Sequence, residues 1–506
     1  MKKIILVINL CTTILFSCTE SKAPRYIPKV NTYTYKPTWT SLSHHTIPYW
    51  AKNVKFGIYS HWSSNTVRAQ DQNYDMPIDE ALTKWTGEKF DAAKWAILFK
   101  RAGAQFAGPV AWHVDGILNW ASNITPYNSV KVGPHRDVVG ELAQEIRRRN
   151  MKFLCSFHST TLWGSRGKND KVKIPADFYN QDTGDNPLIY NETGRFNNAY
   201  LQGWLDRMLE AILKYHPDMV WVDTNFGGSV GPELRHELIE GRLVSDTIEV
   251  NGIRDDIQRK LLATYFNHAA KRGQEPCFVY KSFDIPPSIC MRDIENGVLP
   301  GLAFDPWMAD INMMYHNGWK VQWFYSDDKK LKDANCLIDM MVDIVSKNGR
   351  MLLNVPPKID GTFSKEEKKV LYEIGDWLKL NGEAIYGTIP WTMYGEGPSL
   401  IGNPGHHGQG YKKAYLMPKY TVQDIRFTQK DKFLYAIVLD WPVQKLLIKS
   451  LGYKKKLYKG EIKSISLIGS DCVLSWEQGP YELRVQFPKQ KVGKHAYVLK
   501  IELQDL

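Results

Sequence analysis

With 506 residues the chain exceeds the usual size of one domain, so two domains are expected, and it can bury a core without disulfide staples. Its 43% hydrophobic and 24% charged residues are ordinary for a soluble globular protein. The net charge of +11 would suit an acidic partner, but no basic run exceeds a few residues and no nucleic-acid motif accompanies it, which excludes nucleic acid and leaves an acidic or sulfated glycan open.

The N-terminus reads as a targeting segment. Lys2 and Lys3 precede an apolar run from Ile4 to Phe16 that is too short to span a bilayer comfortably. Leu15-Phe16-Ser17-Cys18 resembles a bacterial lipoprotein cleavage box. The expectation is a leader over 1–17, a lipidated Cys18, a polar tether over 18–44, and an exported protein of the periplasm or cell surface. The remaining five cysteines are scattered, with no CxxC or Cys/His spacing, so no zinc site is expected and most should be buried thiols.

From about residue 50 to 380, strand-like runs alternate with helical stripes. Lys55–Tyr59 reads as a first strand, and Ala92, Trp95, Leu98, Phe99 and Ala102 then line one helix face. Gln105–Val110 is the next strand, Val138–Arg149 the next helix, and Phe153–Phe157 the third strand. A striped helix from Trp204 to Leu213 stops at His216-Pro217, and Met219–Val222 follows as a short buried strand. Later strands are expected at 278–280, 301–304, 321–324 and 351–355, with helices at 337–345 and 370–380. Such alternation over more than 300 residues predicts a (β/α)8-type barrel over 45–385, with an open doubly wound sheet as the alternative; no GxGxxG follows the first strand to support the latter. After Tyr386 short alternating runs such as Phe433–Leu439 and His495–Leu503 predict an antiparallel β-sandwich over 386–506.

Chemistry in such a barrel sits at the C-terminal ends of the strands. There the sequence offers His61-Trp62, Trp112-His113, His158 and Asp223. One histidine at a strand end is commonly structural, whereas three at successive ends suggest a shared pocket. An apolar strand ending in Asp223 fixes a carboxylate partly out of water, as a retaining glycosidase nucleophile requires; a cap for the next segment reads as well from the sequence alone. With 17 Trp and 26 Tyr, the chain is rich in side chains that suit sugar faces and cores alike.

Several of these motifs are similar to those of the α-L-fucosidases of glycoside hydrolase family 29. They include Lys55-Phe-Gly-Ile-x-x-His61-Trp62, Phe90-Asp91-Ala92 with Trp95, Gly133-Pro134 with Arg136-Asp137, and Pro217-Asp218-x-x-Trp221-x-Asp223. Leu337–Gly349, Asp360-Gly-Thr362 and Asn381–Thr388 follow in family order. The resemblance implies Asp223 as nucleophile and Glu295 as acid/base, with His61, His113, His158 and Lys281 at the sugar, and Trp62, Trp112 or Trp307 are expected against its apolar faces. It implies no cofactor and no metal, and a fucosylated or related glycan as partner, with the membrane reached only through the lipid anchor. There are departures. Val114 stands where the family has a second histidine, His158 where it has a tyrosine, Gln72 near an expected glutamate, Lys281 for an arginine, and Met308 after Trp307 where the family has a glutamate. The leading expectation is therefore a retaining exo-glycosidase of α-L-fucosidic or closely related linkages. An endo-acting hydrolase of sulfated fucans, suggested by Arg166, Lys168, Lys171 and Lys173, and an inactive glycan-binding barrel are the alternatives.

Overall fold

The computed structural model describes residues 33–158, 198–223, 233–239, 242–248, 255–281, 285–286, 289–315, 323–328, 330–399 and 419–504. The expected leader, Cys18, most of the tether, Trp163 and the basic run 166–173 lie outside these residues. Eight parallel strands close into a barrel: β1 (Phe56–Ser60), β2 (Phe106–Trp112), β3 (Lys152–Phe157), β4 (Met219–Val222), β5 (Cys277–Tyr280), β6 (Met291–Asp293), β7 (Trp307–Asn312) and β8 (Gly349–Asn354). Each pairs in parallel with its chain neighbour, and β8 returns to β1 with Phe56 opposite Met351 and Tyr59 opposite Asn354. An antiparallel hairpin of Glu233–Ile239 and Arg242–Ile248 is inserted after β4.

The period-2 geometry of a strand sends alternate side chains to opposite faces. One set, including Tyr59, Phe106, Val110, Leu154, Trp221, Val279, Met308 and Leu352, forms a separate core inside the barrel. Ile47, Ala51 and Val54 join the same cluster. The other set packs outward against α1 (Ala92–Arg101), α2 (Val138–Arg148), α3 (Asn198–Tyr215), α4 (Asp255–Lys271), α5 (Ala334–Ser346) and α6 (Lys365–Asn381). The interior is packed tightly enough to demand glycine. A Cβ on Gly57 would lie 2.2 Å from the Phe106 ring, and one on Gly108 only 1.7 Å from the Leu154 carbonyl oxygen.

Two strand expectations need correction. Gly301–Phe304 is a loop with Phe304 almost wholly exposed, and the strand begins instead at Trp307. Trp323 and Phe324 belong to no strand, while residues 321–322 lie outside the described set. The three-residue β6 was not anticipated because it is too short to show a period.

The C-terminal part is a sandwich. Five antiparallel strands, β9 (Ile389–Glu396), β10 (Ile425–Lys430), β11 (Phe433–Val438), β13 (Glu461–Leu467) and β16 (Tyr497–Gln504), form the larger sheet in the order β9-β10-β11-β16-β13. The smaller sheet is β12 (Lys445–Ile448), β15 (Leu483–Gln486) and β14 (Trp476–Gln478). Leu434, Ala436 and Val438 face the smaller sheet, while Tyr435 and Ile437 join the barrel's outer core. β11 is thus buried on both faces, which is why Phe433–Val438 is continuously apolar rather than alternating.

Candidate active site

The alternation that fills the barrel also builds the site above it. One step beyond the apolar interior layer, the same face continues as polar groups: Tyr59 to His61, Ser156 to His158, Trp221 to Asp223, Val279 to Lys281, Met291 to Asp293 and Glu295, Met308 to Asp310 and Asn312, and Leu352 to Asn354. Backbone bonds extend the parallel ladder past several strand ends, with His158 N donating to Trp112 O (2.7 Å) and Asp223 N to Phe157 O (3.0 Å). β2 is the exception. A bulge between Val110 and Trp112 breaks the register, so Trp112 turns outward and His113 lies against the other two histidine rings.

Lys281 is the hub. Its Nζ lies 2.9 Å from Asp223 Oδ1, 2.9 Å from Glu295 Oε2 and 3.2 Å from Asp310 Oδ2. Tyr59 donates its hydroxyl to the same Asp310 oxygen at 3.1 Å. The Lys281 side chain is 2% exposed and Asp223 21%, so the aspartate faces the opening and the ammonium lies behind it. Burial alone would discharge Lys281, but Asp223, Asp310, Glu295 and Asp293 outweigh it and hold it charged, well above its ordinary pKa. Burial likewise opposes ionisation of Asp223, yet Lys281 and His158 keep that carboxyl well below the usual range. Glu295 goes the other way. Burial pushes it up to about 7, Lys281 resists, and Asp310 and Asp223 add to the rise. Asp293 is also raised, by burial and then by Asp310.

The histidines form a second group. Asn354 donates its amide to Trp323 O (2.7 Å) and Asn312 Oδ1 (3.2 Å), so its oxygen accepts from His61 Nδ1 at 2.8 Å. His61 Nε2 then presents a buried lone pair with no hydrogen-bond partner among the described residues. Asn65 spends its oxygen on Arg68 (2.9 Å) and turns its amide to His113 Nδ1 (3.3 Å), which leaves the proton of His113 on Nε2. His158 offers Nδ1 to Asp223 Oδ2 at 3.3 Å, and its Nε2 accepts from Ser156 Oγ at 3.0 Å. Burial, followed by the neighbouring histidines, lowers His61 and His113 well below the ordinary value, so both are neutral at pH 7. The three rings bring nitrogens within 4.8 Å of one another, close enough to suggest a divalent ion. Yet only His61 offers a lone pair not already committed. One acceptor beside one donor matches a hydroxyl group better than a metal.

Asp223, Glu295, His61, His113, His158 and Lys281 therefore converge, as the sequence suggested. The three expected tryptophans do not. Trp62 is buried, donates to Lys358 O (2.9 Å) and packs edge-on to Trp85 and Trp95. Trp112 is fully buried on the outer face, with the Arg207 guanidinium 5.9 Å from its ring. Trp307 opens β7 at the opposite end of the barrel and donates to Lys347 O (2.9 Å). Trp112 and Trp307 occupy outward strand positions, Trp62 lies two residues past the end of β1, and all three join the core outside the barrel. The aromatic wall comes instead from Trp323, stacked on His61 at 5.3 Å, and Phe324, edge-on to His61 and His113 at 5.4 and 4.9 Å. Trp221 lies beneath, 4.6 Å from His158 and 4.7 Å from Lys281 Nζ. Sequence reading missed Tyr59, Asp293 and Asn354, although counting in twos from the buried residues of each strand would have found them.

A closed parallel barrel with paired carboxylates and a histidine cluster at its C-terminal face suits a glycoside hydrolase, and the family comparison shows that class. The chain belongs to the α-L-fucosidase family: residues 26–383 match that family, and residues 419–502 match the α-L-fucosidase C-terminal domain. It is 28% identical over 453 residues to the tissue α-L-fucosidase of Bos taurus, covering 84% of this chain and 81% of that one. It is 25% identical over 503 residues to the tissue α-L-fucosidase of Rattus norvegicus, with 92% of each covered. The α-fucosidase of Thermotoga maritima, solved in complex with fucose, superposes with a TM-score of 0.68 at 23% identity, over 92% of this chain and all of that one.

Proposed function

We propose that the chain is a retaining α-L-fucosidase in which Asp223 is the nucleophile and Glu295 the acid/base. The observation that carries this reading is the shared ammonium. Two arms of 2.9 Å leave Asp223 Oδ1 and Glu295 Oε2 no more than 5.8 Å apart. That bound on the two facing oxygens agrees with the ~5–5.5 Å carboxyl separation of retaining enzymes. The protonation states agree. An ionised Asp223 attacks the anomeric carbon while Glu295, pushed up to about 7, gives its proton to the leaving oxygen as the glycosidic bond breaks. Water then gives Glu295 a proton and the anomeric carbon its oxygen, and the ester to Asp223 breaks. His61 Nε2 and His113 Nε2–H hold sugar hydroxyls, with Trp323 as the aromatic wall.

The test is turnover of an aryl α-L-fucoside, with the anomer of the released sugar read by NMR. Wild type should release the α-anomer first. Asp223→Asn should lose at least about 10⁴-fold in kcat, and azide should restore release from Glu295→Ala as a fucosyl azide. Initial release of the β-anomer, or full turnover by Asp223→Asn, would sink the assignment.

A further inference from the structure

The resemblance assigns Lys281 to the sugar, but the geometry assigns it elsewhere. An ammonium has three N–H donors. Here three carboxylate oxygens, on Asp223, Glu295 and Asp310, surround it within 3.2 Å, and the side chain is 2% exposed. Glu295 Oε2 accepts its hydrogen bond, the other two carboxylates flank it as ion pairs, and a cation so enclosed has no open face left for a hydroxyl of the ligand. The Trp221 ring 4.7 Å from Nζ and the Trp323 ring 6.0 Å away complete its wall. Asp223 and Glu295 follow the ends of β4 and β6, Asp310 lies within β7, and Lys281 itself follows the end of β5. No other side chain among the described residues links the attacking carboxylate to the proton-donating one by direct ion pairs.

We propose that Lys281 is a positioning residue that couples the two reacting carboxylates, holding both in place and passing its attraction from Asp223 to Glu295 as Asp223 is converted to an ester. The proposal rests on the reading of Asp223 and Glu295 as the reacting pair. In the free enzyme the ammonium divides its attraction among Asp223, Glu295 and Asp310. When Asp223 bonds to the anomeric carbon its negative charge is gone, and the neutral ester attracts Lys281 far less. The same ammonium, 2.9 Å from Glu295, then favours the carboxylate form just after Glu295 has given its proton to the leaving group. The residue is thereby set to accept a proton from water in the second step. When the ester breaks, the charge of Asp223 returns and Glu295 is again favoured as the acid. The lysine supplies no atom and no proton to either step.

The experiment compares pH profiles of kcat/KM on an α-L-fucoside with a poor leaving group, whose departure needs the acid, for wild type, Lys281→Ala, Lys281→Arg and Asp223→Asn, with thermal melts to confirm folding. Lys281 favours the ionised form of both carboxylates, so its removal raises both pKa values. Activity needs Asp223 ionised and Glu295 protonated, so both limbs of the bell should move to higher pH, by about one to three units. In Lys281→Ala kcat should fall about 10²-fold or more with KM little changed, and methylammonium or ethylammonium should restore part of it. Lys281→Arg keeps the charge and should keep the bell in place, and it decides the matter if Lys281→Ala does not fold. A Lys281→Ala enzyme with an unmoved bell and a raised KM would overturn the proposal in favour of a sugar contact, as would a bell displaced by Lys281→Arg. Turnover that survives Asp223→Asn would instead remove the underlying assignment of the pair.

Discussion

Asp223 and Glu295 share one counter-ion yet are driven apart in acidity, and the difference lies in what else each faces. Asp223 gains His158 at its second oxygen, whereas Glu295 is buried with Asp310 and Asp223 as like-charged neighbours. From the proposed roles of the two carboxylates the pH dependence follows with definite signs. Below the depressed pKa of Asp223 the nucleophile is protonated and activity is lost. Above about 7 Glu295 loses the proton it must donate, so activity falls again. Wild-type kcat/KM should therefore show an alkaline limb near 7 and an acidic limb below the usual aspartate value. A profile on a substrate with a good leaving group, which needs little acid assistance, should lose the alkaline limb. If that limb persists there and also in Glu295→Gln, it belongs to another group.

At the scale of elements, α5 carries the joint between barrel and sandwich. Its Asp343, fully buried, lies 2.7 Å from Nζ of Lys347, which follows the last residue of the helix, and 2.6 Å from Arg426 Nε of β10. Removing the carboxylate leaves two buried cations facing each other, which costs about 3–5 kcal/mol where such pairs have been broken. Asp343→Ala should lower the denaturant midpoint by a corresponding amount, and Asp343→Asn by less. A loss under about 1 kcal/mol would mean that solvent reaches the joint once the carboxylate is gone. The strands and helices that meet here were legible in sequence wherever they were long enough to show a period. α5 and α6 run three residues or more beyond their expected starts at 337 and 370, because Asp333 and Ser364 cap them, and capping leaves no apolar stripe to read. Placement of the histidines and of Asp223 was legible because strand ends are marked by the return of polar residues. The tryptophans misled because a strand end gives the height of a side chain but not its face. For Trp112 the face depends on a bulge that no local motif announces, for Trp307 the alternation within the strand would have shown it pointing outward, and Trp62 lies past the end of β1.

Taken whole, the molecule is a barrel whose outer core is completed by a second domain. Tyr435, Ile437 and Val498 of the larger sheet belong to the barrel's cluster, Trp377 of α6 donates to Ala496 O at 2.8 Å, and Thr428 Oγ1 donates to Ala384 O at 2.7 Å. A chain ending at residue 388 would expose this face with its apolar side chains. It should be insoluble or inactive on the aryl fucoside, and a soluble truncated form with wild-type turnover would show that the sandwich is dispensable. A last consequence comes from the bond between Asn354 and His61. Those two residues end the final and the first barrel strands, nearly three hundred positions apart in the chain, and they meet only at the seam where the cylinder shuts. Under the proposed roles, His61 is therefore held for its hydroxyl only once Asn354 has been made, and a bound sugar would act as a rivet across the join that closes the barrel.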